Sequence, residues 1–154
     1  MSDAGDETTE GRADASPPPW FEGGLRFECT CCGNCCTGGE GAVWFDDDEG
    51  RAMAEVLGLD YPEFIVRHTR VIDGHRSLNE HLTGWGHDCV FLDRESVPGK
   101  AVCKVYEARP RQCRTWPFWP EMLRNEKAWS RAKRTTPCPG MGDGRLYTVE
   151  EIVA

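Results

Sequence analysis

The sequence predicts an α+β fold, a small loop-rich single domain with short helices and a small antiparallel sheet, organised around its cysteines. Three observations lead there. The 154 residues include 17 glycines and 10 prolines against a hydrophobic fraction of 39%, so loops abound and apolar burial alone leaves a thin margin. The helix and strand signals are all short. Nine cysteines supply the staple that such a domain needs.

Residues 1–19 lack branched apolar side chains and end in Pro17, Pro18 and Pro19, so the sequence predicts a disordered acidic tail there. The domain is expected over 20–154, with order beginning near Trp20 and Phe21. AVWFDDDEGRAMAEVLGL predicts a short strand running into a helix. Asp46 or Asp47 caps it, Ala52, Met53, Val56 and Leu57 recur at helical spacing, and Gly58 ends it. YPEFIVRHT predicts a second helix with Asp60 as N-cap, Pro62 in the first turn, and Phe64 and Ile65 turned to the core. RVIDGHRSLNE reads as a hairpin around Asp73-Gly74, and residues 88–93 as a strand ending in a Gly/Pro loop before AVCKVY. Three prolines in RPRQCRTWPFWP forbid a long regular element. Thr148 and Glu151 form the capping box of a last short helix, TVEEIVA.

The stretch FECTCCGNCC, residues 27–36, holds five of the nine cysteines. The opening residues have no apolar signal, and no run approaches the roughly 20 apolar residues of a membrane span. A cytoplasmic protein with no membrane association is the expectation. In a reducing compartment an odd set of nine thiols argues against a disulfide framework and for metal or redox chemistry. Cys29, Cys32 and Cys35 are spaced C-x2-C-x2-C, a turn that lets sulfurs converge on one ion, and Gly33 eases it. Cys35 and Cys36 are adjacent, so their side chains are expected to point apart, toward two centres or opposite sides of one polymetal site.

Four further cysteines follow: Cys89, Cys103, Cys113 and Cys138. Eight ligands suffice for two four-cysteine sites, which makes Cys31 the ninth, a supporting thiol at a position that ordinarily points away from the metal. Zinc suits tetrahedral thiolate sites, and iron or an iron-sulfur cluster suits them equally. Two such sites bring roughly four negative charges inside. The formal net charge is -8, yet residues 109–134 hold eight basic residues against two acids, and the arginines beside Cys113 are placed to offset the thiolates. Nucleic-acid binding by that segment, with Trp116, Phe118 and Trp119 as stacking surfaces, is the weaker reading in an acidic chain. Lys127 to Arg134 read as solvated surface. Of His68, His75, His81 and His87, the last is best placed to replace a cysteine, though the thiols already suffice.

The order Cys29-x2-Cys32-x2-Cys35-Cys36, then CVFLD, C-x2-Y-x2-RP-x2-CR-x-WPF and CPG resembles the YkgJ-type CxxCxxCC cysteine-cluster family over roughly residues 25–153. The resemblance implies a zinc- or iron-chelating domain with Cys29, Cys32, Cys35, Cys36, Cys89, Cys103, Cys113 and Cys138 as ligands. Cys31 departs from the pattern. Some proteins with this pattern are flagellin lysine N-methylases, which implies, as an alternative, metal- or iron-sulfur-dependent lysine methylation drawing on S-adenosylmethionine. The expected function is therefore a metal-binding protein holding zinc or iron, with a 4Fe-4S cluster as one form the iron can take. A thiol redox sensor is a second alternative, and the metal ion is the one partner the sequence identifies.

Overall fold

Asp46, one of the two expected caps, opens the first long helix, α1 (Asp47–Leu57), through a capping box: its carboxylate accepts from the Glu49 amide at 2.8 Å, and its own amide donates to Glu49 Oε1. Gly58 closes the helix at φ 67°. The buried face differs from the expected one. Met53 and Ala54 are buried and Leu57 packs against the core, whereas Ala52 and Val56 face outward. Gly50 sits where an added Cβ would lie 2.8 Å from both the Phe45 and Tyr61 rings, so close ring packing on that side sets the helix rotation. The structure, a computed structural model, describes residues 17–154; most of the expected acidic tail lies outside the described residues.

Helix α2 (Tyr61–His68) runs directly into a hairpin of β2 (Thr69–Ile72) and β3 (His75–Leu78). Its turn is the expected Asp73-Gly74, with φ of 50° and 79°, the left-handed pair that matches hairpin twist. A second hairpin, β4 (Glu80–Thr83) with β5 (Gly86–Cys89), follows at once. The expected strand 88–93 is split: β5 ends at Cys89, and β6 (Leu92–Asp93) pairs instead with β7 (Val102–Cys103). The Val90 amide crosses to the Asn79 carbonyl, which turns the chain from one ladder to the next.

The proline-rich segment yields only α3 (Arg111–Arg114) and α4 (Pro120–Leu123). Helix α5 (Glu126–Thr135) covers the stretch read as charged surface. Asn125 caps it by accepting from the Ala128 amide, and Trp129 and Ala132 are buried beneath its charges. Near the end, β8 (Arg145–Tyr147) pairs antiparallel with β1 (Leu25–Phe27), and α6 (Val149–Val153) carries the Thr148–Glu151 capping box. The small antiparallel sheet thus takes the form of four separate two-stranded ladders among the described residues.

Two apolar clusters hold these pieces. Phe45, Met53, Phe64, Leu78, Phe91 and Val105 form the first, with Phe64 stacked on Phe91 at 6.2 Å between ring centroids. Trp116, Trp129, Ala132, Cys138 and Met141 form the second, where Phe118 stacks on Trp129 at 5.9 Å. Cys89 and Cys103 pack against the first cluster and Cys138 belongs to the second. Among the described residues no helix is long and apolar enough to cross a membrane.

Candidate metal centre

The cysteine-bearing loop has little regular structure, and long-range hydrogen bonds fix its course. The Glu28 amide donates to the Gly140 carbonyl at 3.1 Å, the Ala101 amide to the Cys31 carbonyl at 2.8 Å, and the His87 amide to the Gly38 carbonyl at 2.7 Å. Asn34 Nδ2 donates to the Pro137 carbonyl, and the Thr37 hydroxyl to Asp88 Oδ1, each at 2.5 Å. At Gly33, φ is 76° and an added Cβ would lie 2.6 Å from Ala101 Cβ, so both conformation and space require glycine there. These ties bring the loop against the segments that carry Cys89, Cys103 and Cys138.

Cys113 arrives from α3, which is pinned independently. Gln112 Nε2 donates to the Ala42 carbonyl at 2.9 Å, its Oε1 accepts from the Trp44 amide at 3.0 Å, and the Arg111 amide donates to Glu49 Oε2 at 2.6 Å. The short helix is held on both sides.

Two adjoining cavities result. The inner one, about 350 Å³, is lined by Cys29, Cys31, Cys35 and Cys36 of the loop, by Cys89 and Cys103 of the ladders, and by Cys113. Its floor is apolar, with Leu78, Phe91, Leu92 and Val105. The outer cavity, about 520 Å³, is lined by Cys29, Cys32, Cys35, Cys113 and Cys138, with Arg109, Arg114 and Arg145 in its walls. Cys29, Cys35 and Cys113 thus lie in the wall common to both, as do Arg109 and Trp116. Each of the nine cysteines lines at least one cavity. Cys31, read as a supporting thiol, lines the inner cavity, while Cys32 lines only the outer one.

The sulfurs of Cys35 and Cys36 are 3.7 Å apart, which corrects the expectation that adjacent side chains point away from each other. A three-residue 3-10 turn, Asn34–Cys36, winds the chain tightly enough to bring them together. A tetrahedral ion with metal–sulfur bonds near 2.3 Å has ligand sulfurs about 3.8 Å apart, a spacing close to that of this pair.

The electrostatics show thiols crowded together with one positive neighbour. Hydrogen bonding with Cys36, aided by backbone donation and the Arg109 guanidinium, brings Cys35 down to about 7. The same bond, followed by burial, pushes Cys36 up. Burial raises Cys89 to about 11 and Cys113 to about 12, and nearby thiolates add to both. Cys103 is likewise raised, chiefly by burial. Several negative sulfurs cannot coexist here without positive charge to offset them. Arg109 offers some, fixed over the Tyr106 ring at 3.9 Å by a hydrogen bond from its Nε to the Tyr106 carbonyl.

The donor chemistry, soft sulfur in a largely apolar enclosure, fits a thiophilic metal. A buried indole N–H of Trp116 without an acceptor also fits a site whose sulfurs gain charge on loading. The geometry is less advanced: among the described residues no group of three or more His, Cys, Asp or Glu side chains converges as a bound ion requires. Apart from the Cys35–Cys36 pair, the thiols stand in the cavity walls. None of the four histidines lines either cavity; His87 instead faces Glu80, with Nδ1 3.9 Å from Oε1. The aromatic residues of the basic segment pack inward: Trp116 and Trp119 meet edge to face at 5.0 Å.

Cys31, the expected supporting thiol, has a φ of 55°, a departure that sequence does not announce. Sequence reasoning missed one residue that shapes this site. Asp88 was seen only as a strand residue, yet its carboxylate ties the loop residue Thr37 to Arg94.

A chain with clustered thiols, an apolar enclosure and arginine in the wall is a cysteine-rich metal-chelating domain. The chain belongs to the CxxCxxCC family, described as a "putative zinc- or iron-chelating domain", whose family model matches residues 28–139. No solved structure matches it.

Proposed function

We propose that the protein binds zinc or iron through Cys29, Cys32, Cys35, Cys36, Cys89, Cys103, Cys113 and Cys138, and that this metal completes the fold. The observation that carries the reading is the inner cavity, which cysteines from the loop, two ladders and α3 line together over an apolar floor. A thiophilic ion is a ligand that such a set of thiols can share. Metal supplied to thiolates there gives a loop-rich chain folding energy that its two modest apolar clusters do not.

When bound, the metal supplies a positive centre on which the thiolates converge. The chain's own residues do the rest. The loop ties to Gly140, Ala101, Pro137 and Asp88 deliver Cys29 to Cys36 as one unit, α3 delivers Cys113, and Arg109 balances negative charge at the common wall. Elemental analysis and absorption of protein purified without oxygen test the proposal. Zinc without colour establishes a structural or metal-handling protein. Iron with sulfide and visible charge-transfer absorption establishes a cluster, and calorimetric titration with S-adenosylmethionine then decides whether methyl transfer follows. Protein that takes up neither zinc nor iron from anaerobic solution refutes the function.

A further inference from the structure

Trp116 is 8% exposed, and its indole Nε1 is buried without a hydrogen-bond acceptor. Other tryptophans of the chain satisfy this donor: Trp119 Nε1 donates to the Gln112 carbonyl at 2.8 Å, and Trp20 Nε1 to the Leu123 carbonyl at 2.7 Å. A buried N–H left alone costs free energy, and a fold that retains one calls for a partner from elsewhere. Two other buried nitrogens, His68 Nδ1 and Arg70 Nε, are also without partners, but neither residue lines a cysteine cavity. Trp116 lines both.

Cys29, Cys35 and Cys113 line the same two cavities as Trp116, and their sulfurs are the acceptors considered for it. A neutral thiol accepts hydrogen bonds weakly, while a thiolate carries charge and accepts strongly. Loading with metal makes that change, because a ligating sulfur gives up its proton. We infer that the Trp116 indole N–H donates to a metal-bound thiolate of the common wall, holding that sulfur in its ligating orientation and offsetting part of its charge. Trp116 is then a positioning residue: it touches sulfur and never the ion. The inference rests on the proposed metal-binding function and extends it to a residue outside the ligand set.

The test uses the full chain loaded with zinc for affinity and with spin-active cadmium for magnetic resonance. Trp116→Phe keeps an aromatic ring in the core and removes the donor. Trp129→Phe, in the same cluster but lining neither cavity, controls for loss of an indole. In chelator competition Trp116→Phe is expected to weaken zinc binding about ten- to hundredfold, the usual effect of losing a group that supports a ligand, with stoichiometry unchanged. Trp129→Phe, which shares the cluster of Cys138 but lines neither cavity, should alter it by less than about threefold. In the cadmium-loaded wild type the Trp116 indole proton should move downfield from its metal-free position and couple to cadmium through the sulfur. Wild-type affinity in Trp116→Phe, together with an indole proton unmoved by loading, overturns the inference and leaves metal binding standing. Wild type that takes up none of zinc, cadmium and iron overturns the function beneath it. Should Trp116→Phe fail to fold, the wild-type indole resonance decides alone.

Discussion

Arg94 grips the carboxylate of Asp88 with two hydrogen bonds, Nε to Oδ2 at 2.8 Å and Nη2 to Oδ1 at 3.0 Å. Asp88 is 1% exposed, and Thr37 adds a third donor from the cysteine loop. Removing one member of a buried ion pair leaves the other uncompensated, at a cost of about 3–5 kcal/mol. Asp88→Ala is therefore expected to destabilise the metal-loaded protein by about that much, measured by chemical denaturation, and to loosen the loop that follows Cys36.

The same pair sets a pH dependence. The Arg94 bonds hold the Asp88 carboxyl below its usual value of 3.8. A depressed folded pKa contributes stability that is fully present above the unfolded pKa and fades as pH falls through the folded one. Wild type should lose that increment below about pH 4, while Asp88→Asn should lack this part of the acid slope. Equal slopes in the two proteins below that pH would show that the pair contributes no linkage.

Gly140 separates a local conformational preference from a steric need. An added Cβ would fall 1.7 Å from the Glu28 carbonyl oxygen, on the backbone that Glu28 also uses to reach Gly140. Gly140→Ala is expected to cost at least about 2–3 kcal/mol through overpacking and to displace the nearby Cys138. Gly39→Ala, where a Cβ meets nothing within 4 Å, should change stability by less than about 0.5 kcal/mol. Thermal denaturation of the two variants side by side checks this.

Removing the metal should reveal how much of the fold depends on it. Ligand present at about a thousand times its dissociation constant stabilises by about 4 kcal/mol, so stripping it with a strong chelator should lower the Tm by about 10 °C for a domain of this size. A Tm unchanged by chelation, with metal loss confirmed by elemental analysis, would mean that the thiols hold metal without folding around it.

Within the cysteines, the pair formed by Cys35 and Cys36 predicts unequal variants. Cys36→Ser is expected to lose at least one metal equivalent per chain. Cys31→Ser, outside the proposed ligand set, should keep full stoichiometry and weaken binding less than about tenfold, within the range of supporting groups. Metal content after anaerobic reconstitution distinguishes them.

What was legible in the sequence is what short-range chemistry fixes. Asp46, one of the two expected caps, Thr148 with Glu151, and Asp73-Gly74 act within a few residues, and each forms a cap or turn that its spelling allows. Helix α5 escaped because Lys127, Arg131, Lys133 and Arg134 hide an amphipathic pattern with only Trp129 and Ala132 buried. The β4–β5 hairpin was missed because HLTGWGHD offers few branched apolar residues; its place depends on contacts such as His87 with Gly38. For the cysteines, the C-x2-C-x2-C run was legible from spacing and the family from the order of its motifs, but the sharing of Cys29, Cys35 and Cys113 between two cavities was not. That arrangement arises from chain segments meeting across long separations.

The pairing of Leu25 with Tyr147 spans roughly 120 residues and imposes an order on synthesis. The thiols of Cys29 to Cys36 leave the ribosome well before Cys138 and before the strand that anchors their own loop. For that interval they are free thiols on a nascent chain, open to oxidation or to capture by a stray cation. Correct loading is consequently a late event, and the cell's supply of free metal and reductant during translation bears directly on the yield of native protein.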